Sequence, residues 1–202
     1  MPSLKDVTAV LITKHAEYPK EIILEGFGEV IIKTNSTSVY ERYAAAKNAK
    51  NDIIYVQDDD LITSYKELFT HYNGHLTNAM RGRKEFYEKI SGGRITLVGF
   101  GAFFPKKLID VFDLYEKKYG RDFHFYREAD RIFTWLNYPH NTFTLPSADI
   151  KQPESGEERM SADPRHFEYV DEVMKKLNTI SPRRDFEHKI RKYAKRIRKM
   201  FH

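Results

Sequence analysis

The chain has 202 residues, enough for one domain with a substantial core, and its 41% hydrophobic and 14% aromatic content, with 13 Tyr and 14 Phe, supplies the apolar surface a folded globule needs. There is no cysteine, which excludes disulfide frameworks, thiolate zinc sites and cysteine nucleophiles, so any bound metal must be held by oxygen or imidazole. The net charge of +5 is concentrated at one end: from Arg183 onward nine Lys and Arg face two acids, net +7, which leaves −2 for the residues before them.

Met1 to Asp6 lacks a basic segment leading into an apolar run, and no stretch approaches the roughly 20 apolar residues of a membrane span. A cytoplasmic, soluble protein with no transmembrane segment is expected.

Val7 to Thr13 is a β-branched, apolar run that predicts a buried strand, and it feeds the polar loop from Lys14 to Pro19. Glu29 to Asn35 predicts a second strand, after which Thr37 or Ser38 can cap a helix that carries Arg42 and the alanines 44–46 to about Lys50. Asp52 to Gln57 predicts a third strand, and it runs straight into Asp58, Asp59 and Asp60. Near-continuous apolar strands alternating with helices predict parallel strands covered on both faces, and ligands of such sheets sit at the carboxyl ends of the strands. Thr13, Lys14, Asn35 and the three aspartates all fall there.

Farther on, Ser64 to Tyr72 reads as helix and Gly74 to Arg83 as irregular. Arg94 to Phe104 reads as a strand interrupted by Gly99 and Gly101, where missing side chains permit close approach of backbone or ligand. Pro105 suits the first position of a helix reaching Tyr119, Tyr126 to Asn137 reads as another helix, and Asn141 to Leu145 as a short strand. Ser147 to Pro164 is rich in Ser, Pro, Gly and charge and predicts a mobile loop, long enough for an active-site lid. His166 to Asn178 returns to helix. From Arg183, apolar residues at 186, 190, 193 and 197 make one stripe on a basic amphipathic helix, suited to an anionic partner such as DNA or a membrane surface. The expected organisation is therefore one catalytic domain over 1–182, with the loop at 147–164, and a basic helical tail over 183–202.

The chemistry centres on the acidic triplet. A divalent cation bound to a diphosphate needs hard oxygen ligands at a fixed chain reversal, and carboxylates leaving the end of a buried strand supply them. A solvated acidic turn is the alternative reading of the same residues. Arg127, Glu128, Ala129 and Asp130 open a helix, and a carboxylate there serves either as a general base or as a complement to the helix dipole.

The order VTAVLIT, polar loop, EVIIKTN, helix with Arg42, IIYVQDDDLIT resembles the donor half of the GT-A glycosyltransferases, over roughly residues 5 to 140 and most strongly over the first 62. The resemblance implies an α/β, Rossmann-like GT-A mixed sheet with helices on both faces. It also implies a nucleotide-sugar donor, with UDP as the nucleotide, and Mn²⁺ or Mg²⁺ as cofactor. By the same likeness Asp58 contacts the ribose and the metal environment, Asp59 lies beside it at the donor, and Asp60 is the main metal ligand, with His166 as a further one. Of the eight histidines, His140 and His166 are the two that the resemblance implies as candidates for that further ligand, with an exposed helix-start histidine as the alternative reading of His166. Thr13, Lys14, Asn35 and Arg42 line the nucleotide, and Glu128 or Asp130 deprotonates the acceptor hydroxyl, on a DNA base or a lipid-linked or surface glycan. A sugar nucleotidyltransferase would need a glycine-rich basic loop after the first strand, which LITKHAEYPK lacks. The rival outside catalysis is a nucleic-acid-binding module acting through the tail.

Overall fold

The computed structural model describes residues 2–19, 22, 24–80, 95–144 and 163–181. Six strands form one mixed sheet: β1 (Val7–Ile12), β2 (Glu29–Lys33), β3 (Ile53–Gln57), β4 (Thr77–Met80), β5 (Ala102–Pro105) and β6 (Asn141–Thr144), in the spatial order β2-β1-β3-β5-β4-β6. β1 pairs in parallel with both β2 and β3, β5 runs antiparallel between β3 and β4, and β4 pairs in parallel with β6. The helices are α1 (Glu41–Lys47), α2 (Tyr65–Thr70), α3 (Val111–Tyr119), α4 (Phe123–Arg127), α5 (Ala129–Leu136) and α6 (His166–Ile180).

The sheet is buried on both faces because its central strands are nearly continuous in apolar residues rather than apolar at alternate positions, with Thr8 and Gln57 buried through hydrogen bonds. Val7 and Ala9 of β1, Tyr55 of β3 and Phe103 of β5 face α2, which contributes Tyr65 and Leu68. Val10, Ile54, Val56 and Phe104 point the other way, into the larger core with Tyr43 and Ala46 of α1, Phe112 and Tyr115 of α3, Ile132 and Phe133 of α5, and Val173 and Leu177 of α6. Tyr43 and Phe104 each stack on Phe133 with ring centroids 4.7 Å apart, and Tyr43 lies 4.8 Å from Phe112. Each such pair adds about 0.5–1.5 kcal/mol beyond its buried area. This packing fixes α1 and α5 side by side over the sheet.

The first three strands match the reading of the sequence, and the helix carrying Arg42 forms but is shorter than expected, Glu41–Lys47, with Tyr40 rather than Thr37 or Ser38 at its N-cap and Thr37 bonded to the Glu41 carboxylate. Four further elements differ. Thr77–Met80 is a strand, where the sequence read as irregular: its inward residues Thr77 and Asn78 are polar, and Asn78 Oδ1 accepts from Thr142 Oγ1 at 3.0 Å. The strand expected from Arg94 is confined to Ala102–Pro105, because Val98–Phe100 forms a 3₁₀ turn and Gly101 takes φ +108, a left-handed value that breaks the run. Pro105 closes that strand instead of opening the helix, which begins at Val111 after a 3₁₀ segment. The expected helix from Tyr126 divides at Glu128 into α4 and α5.

The segment 147–162 of the expected loop and the basic tail 183–202 lie outside the described residues. No described helix is long and apolar enough to cross a membrane.

Candidate functional site

β1 and β3 are neighbours, yet the chain leaves β1 toward β2 and leaves β3 toward the opposite side of the sheet. Their carboxyl ends therefore flank a topological switch point, the place where open α/β sheets leave a crevice for ligands. One wall is made by the segments after β1 and β2. Thr13 N–H donates to Lys33 O at 2.9 Å, Ser36 N–H to Thr13 O at 2.8 Å and Asn35 N–H to His15 O at 3.0 Å. Asn35 takes φ +53, which asparagine tolerates better than most residues, so the two loops close on each other as a unit. Thr13 is buried in this seam and Lys14 is exposed beside it.

The other wall is the acidic turn after β3, and Gln57 holds its shape. The Gln57 amide accepts from Tyr55 Oη at 2.6 Å and donates to Leu61 O at 2.8 Å, so one buried side chain spans the three aspartates. Asp58 N–H donates to Gly99 O at 2.8 Å, and the Asp58 carboxylate lies where a Gly99 side chain would be: a Cβ there would sit 1.9 Å from Asp58 Oδ2. The close approach that Gly99 permits is that of the acidic turn. Tyr18 reaches the same place from the β1 loop. Burial, then the charge of Asp59, pushes its phenol above the ordinary range.

Beneath the turn lies Arg42, with a side chain 5% exposed. Its Nη2 donates to Asp58 Oδ1 at 2.5 Å, and its Nη1 lies 3.5 Å from Oδ2 of Asp130, in the first turn of α5. Tyr43, the next residue of α1, donates from its hydroxyl to Asp130 Oδ1 at 2.7 Å. The donor-side and acceptor-side aspartates of the sequence reading thus meet on one buried cation. Burial raises the Asp130 carboxyl above the usual range and Asp58 adds to it, against the opposing pull of Arg42. Burial disfavours the charged guanidinium, yet Asp130 and Asp58 outweigh it and hold Arg42 firmly protonated.

Glu128, two residues before Asp130, belongs to a different cluster. It is buried, accepts from Arg131 Nη1 and lies 3.6 Å from Arg127 Nε, while Arg127 Nη2 also reaches Asp163 at 3.2 Å. His166 opens α6 with Nε2 at 3.4 Å from Arg131 Nη2. Burial, then Arg131, lowers its pKa. His140 precedes β6, three strands across the sheet from β3, or roughly 14 Å at ordinary strand spacing, and so is not beside the acidic turn. Its Nδ1 lies 3.5 Å from Thr142 Oγ1.

Among the described residues no three His, Asp or Glu side chains are grouped to enclose a metal ion. The donor set still fits Mg²⁺ or Mn²⁺, because such ions are commonly held by one or two carboxylates together with substrate phosphates and water. Asp58 and Asp60 lie in one hydrogen-bonded turn after β3 and offer only oxygen. The residues that sequence reasoning missed here are Tyr43, Gln57 and Tyr18. Tyr and Gln at strand ends or in helices carry no motif, and only the fold brings them to the aspartates.

No protein-family model, curated protein or solved structure matches the chain.

Proposed function

We propose that the protein is a metal-dependent glycosyltransferase of GT-A type, moving a sugar from a nucleotide-diphosphate donor, UDP-linked, to a hydroxyl acceptor. The observation that carries this reading is the sharing of one buried guanidinium by Asp58, at the carboxyl end of β3, and Asp130, at the start of α5. A donor carboxylate and an acceptor-side base are the two acidic positions such a transfer requires, and two aspartates that share one guanidinium suit those positions. Further support comes from the sheet, which has parallel strands around β1 and an antiparallel β5 that brings Gly99 against Asp58.

A bound Mn²⁺ or Mg²⁺, with Asp60 and Asp58 as its protein ligands, supplies charge stabilisation for the departing diphosphate. The remaining work falls to the chain. The loop pair around Thr13, Lys14 and Asn35 borders the nucleotide side. Tyr43 holds Oδ1 of Asp130 and so fixes the carboxylate that would take the proton of an acceptor hydroxyl, with Oδ2 3.5 Å from Arg42 Nη1. Burial raises its pKa, which makes it a stronger base than an ordinary carboxylate. Glu128, buried against two arginines, is left with a positional role. The acceptor is a hydroxymethylated DNA base or a lipid-linked or surface glycan.

Thermal unfolding with a panel of nucleotide diphosphates, each with and without Mn²⁺, tests the donor site. A single nucleotide is expected to raise the Tm only with metal, and Asp60→Ala to abolish the rise. No shift with any nucleotide would overturn the reading and leave the +7 segment after Pro182 as the functional element, acting on nucleic acid without catalysis.

A further inference from the structure

Arg42 is nearly sealed from water and yet underused. Its Nη2 is bonded to Asp58, whereas Nε and Nη1 are buried without a hydrogen-bond partner. A guanidinium carries five donors in a planar fork and favours two-pronged pairing with a single carboxylate. Here its two ends are turned to carboxylates on different elements, one bonded at 2.5 Å and one waiting at 3.5 Å. A shift of less than about 1 Å would bring Nη1 into hydrogen-bond range of Asp130 Oδ2. Tyr43 anchors the other oxygen of Asp130, so the carboxylate can accept that bond without leaving its place.

We propose that Arg42 is a positioning residue that couples the acidic turn to Asp130. A divalent cation that engages Asp58 competes with the guanidinium for that carboxylate, and the guanidinium's share passes to Asp130. In its reference to a cation this rests on the glycosyltransferase reading; the shared guanidinium does not. Coupling of this kind is reciprocal: whatever alters Asp130 changes cation affinity at the turn by the same factor as the cation changes Asp130. A lysine in place of Arg42 presents a point charge that cannot span the two carboxylates, so it should keep the charge and lose the coupling.

Two measurements on the full chain test this. The first is calorimetric titration of Mn²⁺ in the presence of UDP. Asp130→Asn leaves Arg42 to Asp58 alone and is expected to weaken Mn²⁺ binding about five-fold or more, an effect that should fall within two-fold in the Arg42→Lys background. The second is ligand-free: thermal unfolding of Asp58→Asn, Asp130→Asn and the double variant. Because both carboxylates draw on one cation, their Tm shifts should miss additivity by about 3 °C or more with Arg42 present and add in the Arg42→Lys background. Additive shifts with Arg42 in place would overturn the proposal, and this arm stands even if the Arg42→Lys chain fails to fold. Non-additive shifts without Mn²⁺ binding to any variant would uphold the shared guanidinium and overturn the metal-dependent reading.

Discussion

Glu128 and Asp130 are two residues apart at the start of α5, and the fold treats them in opposite ways. Glu128 has 1% of its side chain exposed and faces two arginines, so its charge is fully answered from within the protein. Asp130 keeps 26% exposure, shares a single arginine with Asp58, and takes a neutral hydroxyl from Tyr43 as its only hydrogen bond from a side chain of α1. A saturated carboxylate holds structure. One left partly uncompensated, with its pKa raised and part of its surface exposed, is suited to move a proton.

Exchanging each carboxylate for its amide breaks the comparison most directly. Asp130→Asn is expected to lower sugar transfer by about 10²–10⁴-fold in a steady-state assay, the usual contribution of a general base. It should not lower stability at neutral pH. A carboxyl whose folded pKa lies above its unfolded value contributes stability that is full below the unfolded pKa and is lost as pH rises through the folded one. The variant should therefore be at least as stable as wild type near pH 7, the gap closing on acidification into the carboxylate range. Glu128→Gln is expected to do the reverse, costing about 3 kcal/mol in denaturant unfolding because two arginines lose their counter-charge.

A smaller effect is expected at Gly99. Gly99→Ala drives a methyl onto the Asp58 carboxylate, so the turn must shift. A loss of about 1–2 kcal/mol, read by thermal unfolding, should accompany loss of the nucleotide-dependent Tm rise. The smallest effect belongs to Glu41 of α1, which accepts from Thr37 N–H at 2.8 Å and pairs with Lys33 at 2.8 Å. Burial works against its charge, yet Lys33 and Thr37 outweigh it and lower the pKa to about 2. Stability from Glu41 is thus present above its unfolded pKa near 4.5 and lost as pH falls toward 2. Glu41→Gln should cost about 0.5–1 kcal/mol at pH 7, discounted because Lys33 is half exposed, with the cost shrinking steadily as the pH falls toward 2.

The sequence made the parallel half legible because β1 and β3 bury both faces and so read as near-continuous apolar runs. β4 was hidden for the opposite reason: Thr77 and Asn78 are buried through hydrogen bonding, so burial there leaves no hydrophobic trace. At the site, the strand ending in three aspartates was plain from local pattern. That Asp58 and Asp130 share Arg42 was not, since their meeting depends on α1 and α5 packing through Tyr43, Phe112 and Phe133. The same packing gives Asp130 and Glu128 different partners, which spacing alone does not show.

The Gln57 bridge has one more consequence. A loop that must become ordered when its ligand arrives loses affinity to that ordering, and its amides exchange with solvent like those of a free loop. Here Gln57 closes the turn from Tyr55 to Leu61, and Asp58 N–H is already bonded to Gly99 O. The Asp58 amide should therefore exchange with deuterium at rates typical of a strand before any ligand is added, and ligand binding should change the charge of the turn far more than its order.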